Sequence, residues 1–263
     1  MEKEHIKKRL VFYFYTFENF LDNRAIQIHL KCLKYYSKVF DEALFIISVD
    51  DTEDEMLILS TERELLNLGF KDIRFKVHKN NAYCEAQPFF EEIVCKLKWL
   101  DGLTFFGHTK GVTNYQKVDC CVESIDAWIL GMYYLNLEFI DEVENSLCYE
   151  PHRFFGAFLS DCRNSWFGGW LDSGTFYWLN CPSIWNDVIL KQVEIPVTYH
   201  HRGFAECFPT LLDDWNNGVS GLDSHGKLVV HNFDYYTDTQ NRISFLCGGI
   251  EGYEDFKNKI LNE

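Results

Sequence analysis

The chain has 263 residues, of which 47% are hydrophobic and 25% charged, proportions typical of a globular protein. Its formal net charge is −15, from 25 Lys and Arg against 40 Asp and Glu. This balance argues against a general nucleic-acid binder, which needs many basic contacts to phosphates, and against anionic lipid as the main docking surface. Aromatic residues make up 17% of the chain, enough to fill a core and also to line a binding site.

The ten cysteines include no Cys-x-x-Cys pair, which argues against a zinc site or a dithiol redox motif. The start of the chain has no apolar stretch of the kind found in a secretory leader. No run of about 18 apolar residues predicts a membrane span. We therefore expect a cytoplasmic protein with reduced, mostly buried thiols.

The first half of the chain alternates predicted strands and helices. Runs of β-branched and aromatic residues predict strands at 9–16, 42–49, 71–78 and 103–106. Apolar residues at helical spacing predict helices at 23–40, 52–68 and 85–100, and Gly69 is expected to end the second of these. This order predicts an α/β fold with a mostly parallel, doubly wound central sheet flanked by helices.

The second half has a less regular pattern. It contains no internal repeat and no linker, which predicts one domain over residues 1–263. The predicted elements are a long helical stretch at 119–147, strands at 153–159 and 175–179, helices at 182–190 and 204–215, and strand-like pieces at 227–231 and 243–246.

The sharpest motif is Gly-His-Thr-Lys-Gly at 107–111, directly after the fourth predicted strand. Ligands of open α/β sheets bind beyond the carboxyl ends of the strands, where this motif falls. The two glycines would allow the backbone to approach a ligand closely, while Lys110 supplies a positive charge and His108 a donor or acceptor. Together they suit a phosphate group. The alternative is a solvated turn with an ordinary surface lysine.

With these motifs in order, the chain resembles a glycosyltransferase of the GT-A fold. In that fold the fourth strand usually ends in an Asp-x-Asp that holds a divalent metal. This chain has no Asp-x-Asp, and its His-Thr-Lys-Gly at 108–111 is similar to the motif of the rhamnan synthesis protein F type of bacterial surface-polysaccharide glycosyltransferases. The segment 174–180 looks like that family's Gly-(Ser/Thr)-(Met/Phe)-Phe-Trp strand, and 202–206 looks like its Arg-x-x-x-Glu helix start. The resemblance covers about residues 9–215.

The resemblance implies transfer of a hexose or deoxyhexose from a UDP-, GDP- or dTDP-sugar to a glycan or lipid-linked acceptor in polysaccharide or surface-glycan biosynthesis. Residues 9–118 would bind the nucleotide-sugar, and residues 119–263 the acceptor, which could bring the protein to a membrane. Lys110 with His108 would replace the metal in stabilising the leaving diphosphate, so no metal cofactor is expected. The alternative is a non-catalytic carbohydrate- or nucleotide-binding module with the same shell.

The ends of the first three strands supply the other candidate nucleotide contacts. An aromatic ring at Tyr15 or Phe17 could stack on a base, and a carboxylate at Asp50 or Asp51 could accept from a base or a ribose hydroxyl. Asp51 or Thr52 could instead be the N-cap of the next helix. Asn80 and Asn81 could hydrogen-bond the ribose or the donor sugar, or could be only turn residues, and Asn81 is the favoured contact of the two. The predicted nucleotide-sugar contacts are Thr16, Phe17, Asp50, Asp51, Asn81, His108, Thr109, Lys110 and Gly111.

An inverting transfer also needs a carboxylate that takes a proton from the acceptor hydroxyl. By family likeness the first candidate is Glu206, which could instead be only a charge at a helix start. Asp172, in the loop before the strand at 175–179, is the second candidate, and Asp161 is the third. Glu206, Asp172 and Lys110 are the predicted catalytic residues. Trp178 and Trp185 are expected to be core residues. The histidines at 200, 201, 225 and 231 lack a metal-ligand spacing. The predicted sugar and acceptor contacts are Trp166, Trp170, Asp161 and Arg202.

Overall fold

The computed structural model describes residues 5–109, 112, 122–149, 153–156, 159–161, 170–172, 176–191, 204–205, 208, 219–222, 228–229 and 252–262. At its centre, four strands from the first half of the chain lie parallel in the order β3-β2-β1-β4. This confirms the predicted α/β class with a mostly parallel sheet. The four strands are β1 (Lys8–Tyr15), β2 (Glu42–Val49), β3 (Ile73–Lys79) and β4 (Leu103–His108).

Strands from the second half of the chain extend the same sheet. β8 pairs antiparallel with β4, and β5 pairs antiparallel with β8, which gives a six-stranded body of order β5-β8-β4-β1-β2-β3. β9 and β10 continue it beyond β5, while β6 and β7 form a separate pair. The strands are β5 (Phe154–Gly156), β6 (Leu159–Asp161), β7 (Trp170–Asp172), β8 (Tyr177–Asn180), β9 (Val219–Leu222) and β10 (Leu228–Val229).

Helices cover both faces of the sheet. Short 3₁₀ turns lie at Phe20–Asp22, Ser37–Val39 and Val94–Trp99, and a π-helical turn at Asn145–Tyr149. No helix in the described part of the chain is both long and apolar enough to cross a membrane. The α-helices are α1 (Arg24–Tyr36), α2 (Glu55–Leu66), α3 (Ala86–Glu92), α4 (Val122–Leu137), α5 (Ile140–Glu144), α6 (Cys181–Lys191) and, near the end of the chain, α7 (Tyr253–Asn262).

The core consists of two layers because the central strands are buried on both faces. One layer joins alternate residues of β1, such as Phe12 and Phe14, to α1, α4 and α7. The other joins Val11 and Tyr13 to α3, α6 and Phe204. This is why the strand sequences are continuous apolar runs with no alternation of polar residues.

Several predicted boundaries were wrong. The N-cap of α2 is Asp54, whose side chain accepts from the Leu57 N–H, and not Asp51 or Thr52. The predicted helix at 85–100 is α3 followed by a 3₁₀ turn, and the predicted strand at 153–159 is divided between β5 and β6. β4 runs on through His108, two residues beyond its predicted end. Gly69, with φ +86°, does follow the end of α2 as predicted.

The packing of α7 was not predicted from the sequence. Its residues Tyr253, Phe256 and Ile260 are buried, and the Phe256 ring lies 5.2 Å from that of Tyr134 on α4. The helix therefore closes the layer formed by α1 and α4. The strand predicted at 243–246 lies outside the described residues.

The predicted core tryptophan Trp178 is fully buried, which confirms its structural role, whereas Trp185 is only partly buried. Five cysteines fall in the described part of the chain, and all five are free thiols. Only Cys32 and Cys181 of these are buried, so the expectation of mostly buried thiols is wrong for this set.

Candidate functional site

The order of the strands reverses between β1 and β4, and ligands of open α/β sheets bind at such a switch point, beyond the carboxyl ends of the strands. The ends of the two strands are joined there by Thr109. Its backbone N–H donates to the Tyr13 carbonyl at 3.0 Å, and its Oγ1 accepts from the Tyr15 N–H at 2.9 Å. The first residue after β4, which is the third residue of the Gly-His-Thr-Lys-Gly motif, therefore lies at the switch point beside the end of β1.

A carboxylate follows the last residue of the neighbouring strand β2. Asp50 is exposed, and each of its oxygens accepts one hydrogen bond from a neutral donor. The Tyr15 hydroxyl donates to Oδ2 at 3.2 Å, and the Asn80 Nδ2 donates to Oδ1 at 2.9 Å. Burial and the nearby Asp50 carboxylate raise the pKa of Tyr15, so this hydroxyl keeps its proton and remains a donor. These two hydrogen bonds hold the carboxylate in one orientation.

A hydrogen bond from Tyr13, on the interior side, fixes the orientation of the Asn80 side chain. The Tyr13 hydroxyl donates to the Asn80 Oδ1 at 3.2 Å and lies 2.6 Å from the Ser48 hydroxyl. Burial raises the pKa of Tyr13, so it is neutral throughout the physiological range. The Asn80 backbone N–H also donates to the Val49 carbonyl at 2.7 Å. The amide group therefore presents its Nδ2 towards Asp50 and its oxygen towards the interior.

Two aromatic rings lie beside this network. The rings of Tyr15 and Phe17 have centroids 5.7 Å apart and are tilted by 33°, and both side chains are half-buried. Their faces can stack on a flat ring. We therefore define the edge site as Tyr13, Tyr15, Phe17, Asp50 and Asn80.

The beginning of α1 lies on the other side of the switch point. Asn23 caps this helix by accepting from the N–H groups of Ala25 and Ile26, and its Nδ2 donates to the Val112 carbonyl at 3.3 Å. Val112 directly follows the Gly-His-Thr-Lys-Gly motif in the chain, so the first residue after the motif lies at the first turn of α1. Helix N-termini favour anions.

Some of the predicted contact residues form hydrogen bonds to other residues of the protein. Thr16 is buried, and its hydroxyl lies 2.9 Å from that of Thr61 on α2. Asp51 is exposed, and its Oδ1 accepts from the Glu53 N–H at 3.0 Å. Asn81 is also exposed, and its amide donates to Gln87 at 2.7 Å, on the side of α3. The edge site therefore includes Asn80 and not Asn81.

His108 and Gly107 are packed inside the molecule. His108 is 7% exposed, and its ring centroid lies 6.2 Å from that of Phe176. A Cβ atom at Gly107 would lie 3.0 Å from the Phe12 ring and 3.3 Å from the Phe176 ring. Packing against two aromatic rings therefore favours glycine at the first position of the motif, independently of any ligand.

Of the remaining predicted site residues, only Asp161, Trp170 and Asp172 lie in the described part of the chain. Asp161 lies on β6 opposite Trp170 on β7, and Asp172 pairs with Leu159 in the same two-stranded sheet. The other five predicted residues lie outside the described residues. They are Lys110, Gly111, Trp166, Arg202 and Glu206.

The sequence identified Tyr15 and Asn80 as candidate contacts but favoured Phe17 and Asn81, and Tyr13 was missed. The signal was the period of two along a strand. Tyr13 and Tyr15 lie on one face of β1, and Ser48 and Asp50 lie on the same face of β2 because Tyr15 pairs with Ser48 in the register. Polar groups at alternate positions near the ends of adjacent buried strands predict such a network.

Within the described ranges, no group of three or more His, Cys, Asp or Glu side chains is arranged to hold a metal ion. In comparisons with known proteins, no protein-family model matches the chain, and a search of curated proteins finds no significant match.

Proposed function

We propose that this protein is a glycosyltransferase that transfers a sugar from a nucleotide-diphosphate-sugar to a glycan or lipid-linked acceptor. The observation that supports this most is the strand order β3-β2-β1-β4, because its switch point brings together the start of the Gly-His-Thr-Lys-Gly motif and the edge site. A phosphate-binding motif next to a carboxylate and two aromatic rings is the arrangement that a nucleotide needs. The added antiparallel strand β8 and the resemblance in sequence favour the GT-A fold within the α/β class.

In the proposed reaction, the acceptor hydroxyl oxygen forms a bond to the anomeric carbon of the donor sugar. The bond from that carbon to the diphosphate oxygen breaks, and its electron pair leaves with the diphosphate. A carboxylate takes the hydroxyl proton, and we propose Glu206 for this role, with Asp172 as the second candidate. Lys110 would stabilise the charge on the diphosphate without a divalent metal, whereas the buried His108 would act only by packing behind the motif.

The test is release of nucleoside diphosphate from a panel of UDP-, GDP- and dTDP-sugars, with and without acceptor glycans, in the presence of EDTA. We expect release that survives EDTA and falls at least about a hundredfold in Lys110→Ala, the size typical of losing one group that stabilises a developing negative charge. Lys38→Ala is the matched control, since Lys38 is an exposed lysine just before β2, at the opposite edge of the sheet.

Three results would contradict parts of this proposal. Strict dependence on manganese would exclude the metal-free role of Lys110. Tight binding of a nucleotide-sugar without any turnover would favour the non-catalytic binding module. If no nucleotide-sugar binds or raises the melting temperature, the whole proposal is wrong.

A further inference from the structure

The edge site presents an ordered set of hydrogen-bonding atoms to solvent. A carboxylate has about four lone-pair directions, and the Tyr15 and Asn80 side chains occupy one on each oxygen of Asp50. Among the described residues, no Lys, Arg or His forms an ion pair with Asp50, whose side chain is exposed. Each carboxylate oxygen can therefore accept one more hydrogen bond from a ligand.

The neighbouring Asn80 adds a donor beside these two acceptors. Its Nδ2 carries two hydrogens, one of which is donated to Asp50. Because the Asn80 Oδ1 accepts from Tyr13, the amide cannot rotate by half a turn without losing both of these bonds. The order of groups along this network is consequently one amide donor followed by two carboxylate acceptors.

From this order we propose that the edge site selects guanine nucleotides, so that the donor of the proposed transferase is a GDP-sugar. Guanine presents an acceptor at O6 and donors at N1 and at its exocyclic amino group. These three positions complement the Asn80 donor and the two acceptors of Asp50. This inference rests on the proposed function, because it names the base of the nucleotide that the same site would bind.

The other common bases do not match this order. Uracil and thymine present one N–H between two carbonyl oxygens, so one carbonyl would face a carboxylate oxygen. Adenine and cytosine can pair a ring nitrogen with the Asn80 donor and their amino group with one carboxylate oxygen, but neither has a second donor for the other oxygen of Asp50. A base acceptor that faces a carboxylate oxygen gives up its hydrogen bond to water without gaining a donor, which costs binding free energy. Base stacking on Tyr15 and Phe17 would be similar for all of these bases and would not discriminate among them.

The first experiment measures the dissociation constants of GDP, IDP, UDP and ADP for the whole protein by calorimetry. We expect GDP to bind at least about tenfold more tightly than UDP or ADP. IDP lacks the exocyclic amino group and so loses one hydrogen bond to a carboxylate, which predicts binding about tenfold weaker than that of GDP. Equal binding of GDP and IDP, or tighter binding of UDP, would overturn the inference.

The second experiment uses Asp50→Asn, which replaces one acceptor by a donor. Xanthine carries an oxygen where guanine carries the amino group, so XDP should gain what GDP loses. We expect the GDP affinity to fall about tenfold or more and the preference between GDP and XDP to reverse. Glu53→Gln removes the same charge from an exposed neighbouring position and should leave the preference unchanged.

The outcomes separate this inference from the proposed function. If the protein binds nucleotides without preferring guanine, only the assignment of the base fails. If it binds none of the four, both the assignment and the proposed function fail. Should Asp50→Asn fail to fold, the ranking of GDP, IDP and UDP on the unchanged protein still decides the question.

Discussion

Strand β2 carries one carboxylate at each edge of the sheet, Glu42 as its first residue and Asp50 just after its last. At the amino edge, three cations surround Glu42, namely Lys7, Arg9 and Arg74. At the carboxyl edge, the partners of Asp50 in the described part of the chain are the neutral side chains Tyr15 and Asn80. The glutamate is also buried, whereas the aspartate is exposed.

The charge of Glu42 is therefore used to stabilise the fold, whereas the charge of Asp50 remains available to a ligand. The charge of Glu42 is balanced inside the molecule, and its partner Arg9 also bonds Asp101 at 2.8 Å. A buried charge needs this kind of compensation. Asp50 is oriented but not neutralised, so a ligand can still use its charge. In a chain with a net charge of −15, the partners of a carboxylate therefore carry more information than the presence of the carboxylate.

The largest expected effect comes from Glu42→Gln. Removing this charge leaves Arg9 buried with less compensation, which should lower the free energy of unfolding by about 3 kcal/mol. Urea denaturation measures the change, and Glu53→Gln serves as the exposed control, expected to change it by less than about 0.5 kcal/mol. Equal free energies of unfolding for the two variants would show that the ion pairs of Glu42 do not stabilise the amino edge of the sheet.

A smaller effect is expected from Thr109→Val, which tests the neutral hydrogen bonds at the carboxyl edge. Valine keeps the shape but removes the acceptor of the Tyr15 N–H, and this loss should cost about 1–2 kcal/mol of unfolding free energy. Chemical denaturation of Thr109→Val beside Thr52→Val, a change at an exposed threonine, gives the comparison. If Thr109→Val lowered the free energy of unfolding more than Glu42→Gln does, the carboxyl edge would contribute more to stability than the amino edge, which would contradict this prediction.

The smallest effect is expected from Asp101→Asn, at the exposed rim of the amino edge. Hydrogen bonding to Arg9 is the main cause that lowers the pKa of Asp101. Its stabilisation is therefore complete above the unfolded pKa of about 3.9 and is lost as the pH falls through the lower folded value. Because the side chain is 68% exposed, solvent screening limits the contribution to less than about 1 kcal/mol.

Urea titrations of the wild type and Asp101→Asn at about pH 7 and about pH 3 measure this contribution. We expect the stability difference between the two proteins to be smaller at the acidic pH. A difference that grows on acidification would show that the Asp101 carboxylate is not stabilised in the folded state.

Strands buried on both faces were predictable to within one or two residues, since the bounds of β2 match its prediction and β1 runs from 8 to 15 against 9–16. Continuous apolar runs mark such strands directly. The helix bounds were less predictable because local hydrogen bonds decide them. Asp51 and Asp54 are both acceptable caps, and only the structure shows that the Leu57 N–H bonds Asp54.

The site was predictable in place but not in detail. Its position beyond β1, β2 and β4 followed from the strand order, and Phe17 and Asp50 were identified from that position. The choice between Asn80 and Asn81 depends on the last turn of backbone after β3, which directs Asn80 to Asp50 and Asn81 to Gln87. No propensity distinguishes two adjacent asparagines, because the decision depends on contacts between elements distant in sequence.

The close packing of Gly107 affects how mutational data at this position are interpreted. Any larger residue at this position would press against the rings of Phe12 and Phe176. In a survey of single substitutions, intolerance at position 107 would therefore follow from packing alone. Its intolerance could not be counted as evidence for phosphate binding, although it belongs to the motif that suggests it. Evidence for a ligand has to come from positions where substitution leaves the amount of folded protein unchanged.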